Sequence, residues 1–274
     1  MKGHWSSHLR TILSVWALAL FVAAPRCLVA EPTPTAVSAF NEYVSVVESR
    51  LNQQHRGHSG FLASVAPDPE AEERLRRGEL LVEQLTPPGA AVPAGAMLHH
   101  WRGTAFAAGA RASDFERLMK DFGSYSQYFQ PQVLRANVLS RQGDHFQVLM
   151  RVRQHHAITV VMDTTYDVTF GQLDHTHGYS ISRSIRIAEI DSPGTSGEHE
   201  LNAGEDHGFI WRLNTYWSYE ERDGGLYMQI ESVSLTRDIP RGFAWVLRPF
   251  VQSIPRESLE FTLGATCNAL REKH

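Results

Sequence analysis

From residue 131 to residue 237 the chain is a succession of segments with period-2 patterning, and no other feature limits its fold as much. The segments run over roughly 131–141, 145–153, 156–171, 178–191, 208–222 and 225–237. Successive side chains of a strand point to opposite faces, so each segment reads as a strand with two distinct sides. Gln142-Gly143-Asp144 and Asp223-Gly224-Gly225 are hairpin turns between them. Six successive strands joined by hairpin-length links specify an antiparallel sheet and exclude a βαβ fold.

Other elements flank this block. Residues 97–107 read as one more strand. Residues 112–121 read as a helix capped by Ser113 or its neighbour, with Phe115, Leu118, Met119 and Phe122 on one side. Upstream, Ala36, Phe40, Tyr43, Val47 and Leu51 recur at helical spacing, giving an amphipathic helix over 36–54. Residues 55–69 read as loop, 70–77 as a short charged helix ended by Gly78, and 79–85 as the start of the β-rich body. The chain closes with a helix for which Ser253 is the expected cap and Pro255 a first-turn residue. Leu259, Leu263, Cys267 and Leu270 form its apolar stripe, with Phe261 and Ala265 beside it. At about 18 residues it is roughly 27 Å long, enough to cross a sheet. A long twisted sheet curls, and a helix laid along its concave side closes the groove.

The order strand, helix, several antiparallel strands and long terminal helix resembles the START-like superfamily, also called SRPBCC or helix-grip. Locally, DFGSYSQYFQPQV (121–133) resembles the segment that leads into the second strand, and PFVQSIPR (249–256) resembles the approach to the terminal helix. The resemblance covers about residues 79–272. It implies an α+β helix-grip fold, a curved antiparallel sheet wrapped around a long C-terminal helix, with an extra N-terminal helix outside the shared part. It also implies a cavity for a hydrophobic or amphipathic small molecule, since most members bind one and only some catalyse. Fold alone does not choose between these roles.

The first thirty residues read as a secretory signal. Lys2 and Arg10 precede TILSVWALALFVAA (11–24), an apolar run too short for the roughly 30 Å bilayer core. The expected cleavage follows Ala30, which places the chain in a bacterial periplasm or outside the cell. The expected organisation is a signal over 1–30, a helical extension over 31–78 and the ligand-binding domain over 79–274. The whole chain carries 26 Lys and Arg against 30 Asp and Glu, and losing Lys2, Arg10 and Arg26 leaves the remainder more acidic. That argues against a nucleic-acid partner, which needs a basic footprint. Losing Cys27 leaves Cys267 alone, so the domain is expected to hold by its core and not by a disulfide.

Candidate ligand-contacting residues follow from the strand faces. In 156–171, Met162, Tyr166, Val168 and Phe170 share a face taken as inward, with His156 and Thr164 on it. In 208–222, Trp211 and Trp217 share a face with Phe209, Leu213 and Tyr219, and Thr215 falls among them. In 178–191, Arg183 shares a face with Tyr179, Ile181, Ile185 and Ile187. An arginine in such company needs a partner. Glu231 is one candidate and an anionic ligand head is the other; a frame slip that exposes Arg183 is the third reading. Phe261 lies beside the stripe of the terminal helix.

Other chemistry finds little support. There is no Gly-x-Ser-x-Gly, no HExxH and no phosphate-binding glycine loop, so no cofactor or metal is expected. The adjacent pairs His99-His100 and His155-His156 point to opposite faces of a strand. His175 and His177, beside Asp174, read as a solvated hairpin tip, with a metal pair as the alternative. The resulting expectation is an exported carrier of a lipid-like small molecule, with transient membrane contact. Its rivals are a cyclase or hydrolase on the same fold, built on His100, His156, Arg183 and Glu231, and a protein-interaction module that uses the 36–54 helix. Residues 243–251 read as a short packed helix or a lid.

Overall fold

The computed structural model describes residues 31–63, 70–85, 93, 95–155, 159–202, 205–206, 209–238 and 244–272. Its elements, in chain order, are helices α1 (Pro34–Gln54) and α2 (Ala71–Arg76), then strands β1 (Leu81–Gln84) and β2 (Ala96–Ala108). Helix α3 (Ala112–Lys120), a 3-10 turn (Phe122–Ser124) and helix α4 (Tyr125–Tyr128) follow. Strands β3 (Val133–Gln142), β4 (His145–His155), β5 (Thr159–Gln172), β6 (His177–Asp191), β7 (His199–Glu200), β8 (Arg212–Arg222) and β9 (Gly225–Arg237) come next. Helix α5 (Ala244–Arg271) closes the chain. The signal segment expected over 1–30 and Phe243, the first residue of the expected lid, lie outside the described residues.

The strands form one antiparallel sheet in the order β1-β2-β9-β8-β6-β5-β4-β3, with β7 beside β6. The sheet is curved and unclosed, and α5 packs on its inner face over β2 and the neighbouring strands β1 and β9. This is the helix-grip arrangement expected from the element order. The β8–β9 turn shows why the links are so short. Asp223 and Gly224 both take positive φ, 56° and 74°, a two-residue turn whose twist matches that of the strands it joins.

Two apolar layers cover the two faces. On the inner face, Leu259, Leu263, Cys267 and Leu270 of α5 join Trp217, Met228 and Ile230 of the sheet. Phe115 and Leu118 of α3, with Phe122 and Tyr125 after it, close the same layer at the other end. Helix α3 begins differently from expectation. Arg111 occupies the cap position without a side-chain bond. The Ala112 N–H donates instead to Glu221 Oε2 of β8, at 2.9 Å, so a strand side chain caps the helix. Helix α5 also differs from expectation, because it starts at Ala244 and runs for 28 residues. Ser253 is therefore inside the helix, and residues 244–251 are its first turns and not a separate helix.

On the outer face lies α1. Thr33 Oγ1 accepts the Ala36 N–H at 3.2 Å and Pro34 takes the first turn, so the helix start is fixed locally. Its stripe of Ala36, Phe40, Val44, Val47 and Leu51 is buried against Leu98, Val233, Leu235 and Tyr216. Each of the four larger side chains contributes roughly 1.5–3 kcal/mol relative to exposure. The protein-interaction reading needed this stripe to be free, and the stripe is already used within the chain.

Candidate functional site

The strand register assigns the inner face row by row. Gly178, Tyr219, Met228 and Ala105 lie side by side across β6, β8, β9 and β2. The next row is Phe170, Ser180, Trp217, Ile230 and Gly103. The row after it is Phe146, Val168, Ser182, Thr215, Ser232 and Trp101. In the first two rows every residue is buried, and the rings of Trp217 and Tyr219 pack against Phe115. In the third, Phe146 and Val168 are buried while Ser182, Thr215, Ser232 and Trp101 are only half-buried. The grip is thus filled with aromatic side chains at one end. Toward the other end it is lined by hydroxyls and an indole that no side chain among the described residues fully covers.

The strip combines three hydroxyls with one indole N–H. Trp101 Nε1 is buried and has no hydrogen-bond partner among the described residues. Serine and threonine hydroxyls donate and accept equally well. Leu213, one row further along β8, adds an apolar half-buried wall. Titratable groups near the strip are kept neutral. Burial pushes the Tyr166 phenol up to about 12, against a smaller opposing effect of the Thr164 hydroxyl. Burial lowers the pKa of His99, whose Nε2 is 3.1 Å from Thr236 Oγ1. Burial also raises the Cys267 thiol. Apolar walls with a few convergent polar groups are the composition of small-molecule sites.

The residues singled out from the sequence divide between the two faces. Tyr166 and Trp217 lie in the inner layer, and Phe261 packs against it half-buried. Met162 is buried on the same side of β5 as Tyr166, two alternations away. His156 lies outside the described residues. Arg183, Glu231 and Trp211 are on the outer face, under or beside α1, and this corrects the inward expectation for them. Arg183 does share its face with Ile181, but that face belongs to the α1 layer. Its partner is Glu48 of α1, bonded at 2.7 and 2.8 Å, and not Glu231. Trp211 precedes β8 and packs in the α1 layer, so the two tryptophans do not share a wall.

Glu231 anchors a buried polar network instead. His100 Nε2 is 2.9 Å from its Oε2, and Tyr43 Oη is 2.9 Å from His100 Nδ1. With the proton on Nε2, His100 donates to Glu231 and accepts from the tyrosine, which satisfies both ring nitrogens. Arg50 of α1 donates to the same carboxylate, and Arg102 stands 3.5 Å from its other oxygen. Burial alone raises the Glu231 carboxyl. The His100 and Arg50 hydrogen bonds outweigh that effect and bring it down to about 2. The enzyme reading rested on His100, His156, Arg183 and Glu231. Three of these are on the outer face, engaged with one another or with α1. An open groove of about 460 Å³ also runs along α1, lined by Glu48, Asn52, Arg183, Arg212 and Asn214 among others.

Sequence reasoning did not single out Ser182, Ser232 or Trp101. Their only signal is the row they form across three strands, which exists once the register is known.

Solved structures of similar shape were found. A STAR-related lipid transfer protein fragment from Xanthomonas axonopodis is 17% identical with a TM-score of 0.44, covering 69% of this chain and 98% of that one. The Zhui aromatase/cyclase from Streptomyces sp. R1128 is 11% identical with a TM-score of 0.44, over 65% and 96%. A START superfamily protein from Mycobacterium smegmatis is 13% identical with a TM-score of 0.40, over 66% and 100%. No family model matches the sequence, and no curated protein matches it.

Proposed function

We propose that this protein is an exported carrier of one hydrophobic or amphipathic small molecule, held between the inner face of the sheet and α5. The observation that carries this reading is the graded inner face. Its filled aromatic end gives way to the half-buried strip of Ser182, Thr215, Ser232 and Trp101. An apolar body would lie against Leu213 and the stripe of α5. A polar end with an acceptor atom would meet the Trp101 N–H and the hydroxyls. The export half of the reading rests on the residues 2–24 pattern. Among the described residues no helix is long and apolar enough to cross a membrane.

The test is mass spectrometry of an organic extract of the protein, expressed with its own leader and purified from the periplasmic fraction without detergent. The expected result is one amphiphile per chain in the wild type. Thr215→Trp, which fills the strip, is expected to lose the amphiphile while the protein stays folded. A wild-type extract without amphiphile, together with no binding of a fluorescent fatty acid, overturns the reading.

A further inference from the structure

Away from the grip, the loop after α1 meets the hairpin between β5 and β6 at the edge of the outer face. His58 comes from the loop, and Asp174 and His177 come from the hairpin. One ligand atom from each of the three lies within 4.8 Å of the others. His58 Nε2 is 2.6 Å from Asp174 Oδ2. The other oxygen of Asp174 is held by the N–H groups of Thr176 and His177, at 2.7 and 2.9 Å, and by the Thr176 hydroxyl at 2.8 Å. The turn therefore aims Oδ2 at His58. His177 Nδ1 is 3.0 Å from Asp174 Oδ1, and its Nε2 is 3.6 Å from Glu220 Oε1. His177 is buried, with the Phe61 ring 5.1 Å away on one side and the His58 ring 4.8 Å away on another.

We propose that His58, Asp174 and His177 bind a divalent transition cation of the zinc type, with Glu220 orienting His177. Two imidazole nitrogens and one carboxylate oxygen suit a borderline cation, whereas calcium and magnesium prefer all-oxygen sites. Metal–ligand bonds of about 2.1 Å at tetrahedral angles put donor atoms roughly 3.4 Å apart. His58 Nε2 stands 2.6 Å from Oδ2 and His177 Nδ1 3.0 Å from Oδ1, and the three ligand atoms lie within 4.8 Å of one another, so side-chain adjustments of an ångström or so bring them around one ion. His58 is exposed and sits on a loop, so it can supply that movement.

The protonation states follow from the neighbours. Asp174, a carboxylate whose Oδ1 already accepts three hydrogen bonds, supplies the anionic ligand through Oδ2. Without metal, His177 Nδ1–H donates to Asp174. With metal, the proton moves to Nε2, which then donates to Glu220, the arrangement by which outer carboxylates orient metal-bound histidines. Three protein ligands leave a fourth position for water. The ligands come from residues 58 and 174–177, so the cation also ties the end of α1 to the sheet.

The test uses the full chain, stripped with EDTA and titrated with Zn(II) by calorimetry. One ion per chain is expected, with Tm rising by about 5 °C at a hundredfold excess over Kd. Mg(II) and Ca(II) are expected to leave Tm unchanged, and Co(II) to give the visible bands of a tetrahedral site. His58→Ala removes an exposed side chain, so the variant folds, and it is expected to weaken Zn(II) by about a hundredfold or more. Glu220→Gln is expected to weaken it by about tenfold. No Zn(II) binding by the wild type at millimolar concentration overturns the proposal. So does equal binding by His58→Ala.

Discussion

Arg183 of β6 grips Glu48 of α1 with two parallel hydrogen bonds, Nε to Oε1 at 2.7 Å and Nη2 to Oε2 at 2.8 Å. The pair is bidentate, and Tyr216 Oη donates to the same carboxylate at 3.1 Å. The guanidinium that looked available for an anionic ligand is committed to the helix on the opposite face of the sheet. Arg183→Ala is therefore expected to leave the amphiphile content of the purified protein unchanged. The side chain is partly exposed, so the stability cost is about 0.5–1 kcal/mol. Extract mass spectrometry and thermal denaturation of the same preparation check both. Loss of ligand at unchanged Tm would put Arg183 back at the binding site.

Glu231 is a stronger determinant of stability. It is 2% exposed and neutralises a region that holds Arg50, Arg102 and His100. Glu231→Gln keeps the shape and removes the charge, leaving Arg50 without its counter-ion under α1 while Arg102 keeps Glu83. The expected loss is about 3 kcal/mol, measured as a shift in the urea midpoint. Glu231→Gln combined with Arg50→Met is expected to recover part of it, because the double change removes charges from both sides.

Gly103 lies where α5 crosses β2. A Cβ there would stand 2.7 Å from Leu263 Cδ1, and Leu263 is fully buried. Gly103→Ala is expected to cost about 1–2 kcal/mol by displacing that side chain. Leu263→Ala alone is expected to cost about 2–5 kcal/mol through the cavity it leaves. The double variant is expected to cost less than the sum, since the new methyl fills part of that space. A double-mutant cycle by chemical denaturation gives the coupling.

Stability is expected to fall in two steps as the solution is acidified. His55 is buried, with Nε2 2.8 Å from Ser218 Oγ and its ring stacked on Tyr179 at 4.2 Å. Burial, then the Arg50 charge, lower its pKa from 6.5 to about 4, against a smaller opposing pull from Glu231. Between pH 6.5 and 4 the unfolded chain holds a proton that the folded chain does not. Stability is therefore lost as pH falls through that window, by about 2–3 kcal/mol. His99, also lowered by burial, acts in the same direction. Glu231 has a depressed pKa, so its contribution is present above 4.5 and is lost as pH falls toward 2. Urea midpoints at pH 7, 5.5 and 4.5 measure the first step. His55→Phe is expected to flatten it, and an unchanged slope in that variant would remove His55 as its source.

The sequence by itself determined most of the elements and their order, though not β7, α4 or the start of α5. Period-2 patterning and turns such as Asp223-Gly224 are local, so the long strands, the hairpins and the amphipathic α1 were legible residue by residue. So was the sharing of one face by Tyr166, Val168 and Phe170. Only the tertiary structure decided which face is inner. Patterning shows which residues point the same way, but not what covers them. Here both faces of β9 are covered, by α5 on one side and α1 on the other, so buried residues run along it almost without alternation. A charge such as Glu231 or Arg183 then looks the same from either side. Its partners, Arg50 and Glu48, lie more than a hundred residues away in the chain. The meeting of His58 with Asp174 and His177 has the same cause, since the helix that delivers His58 is placed by packing on a sheet formed much later in the chain.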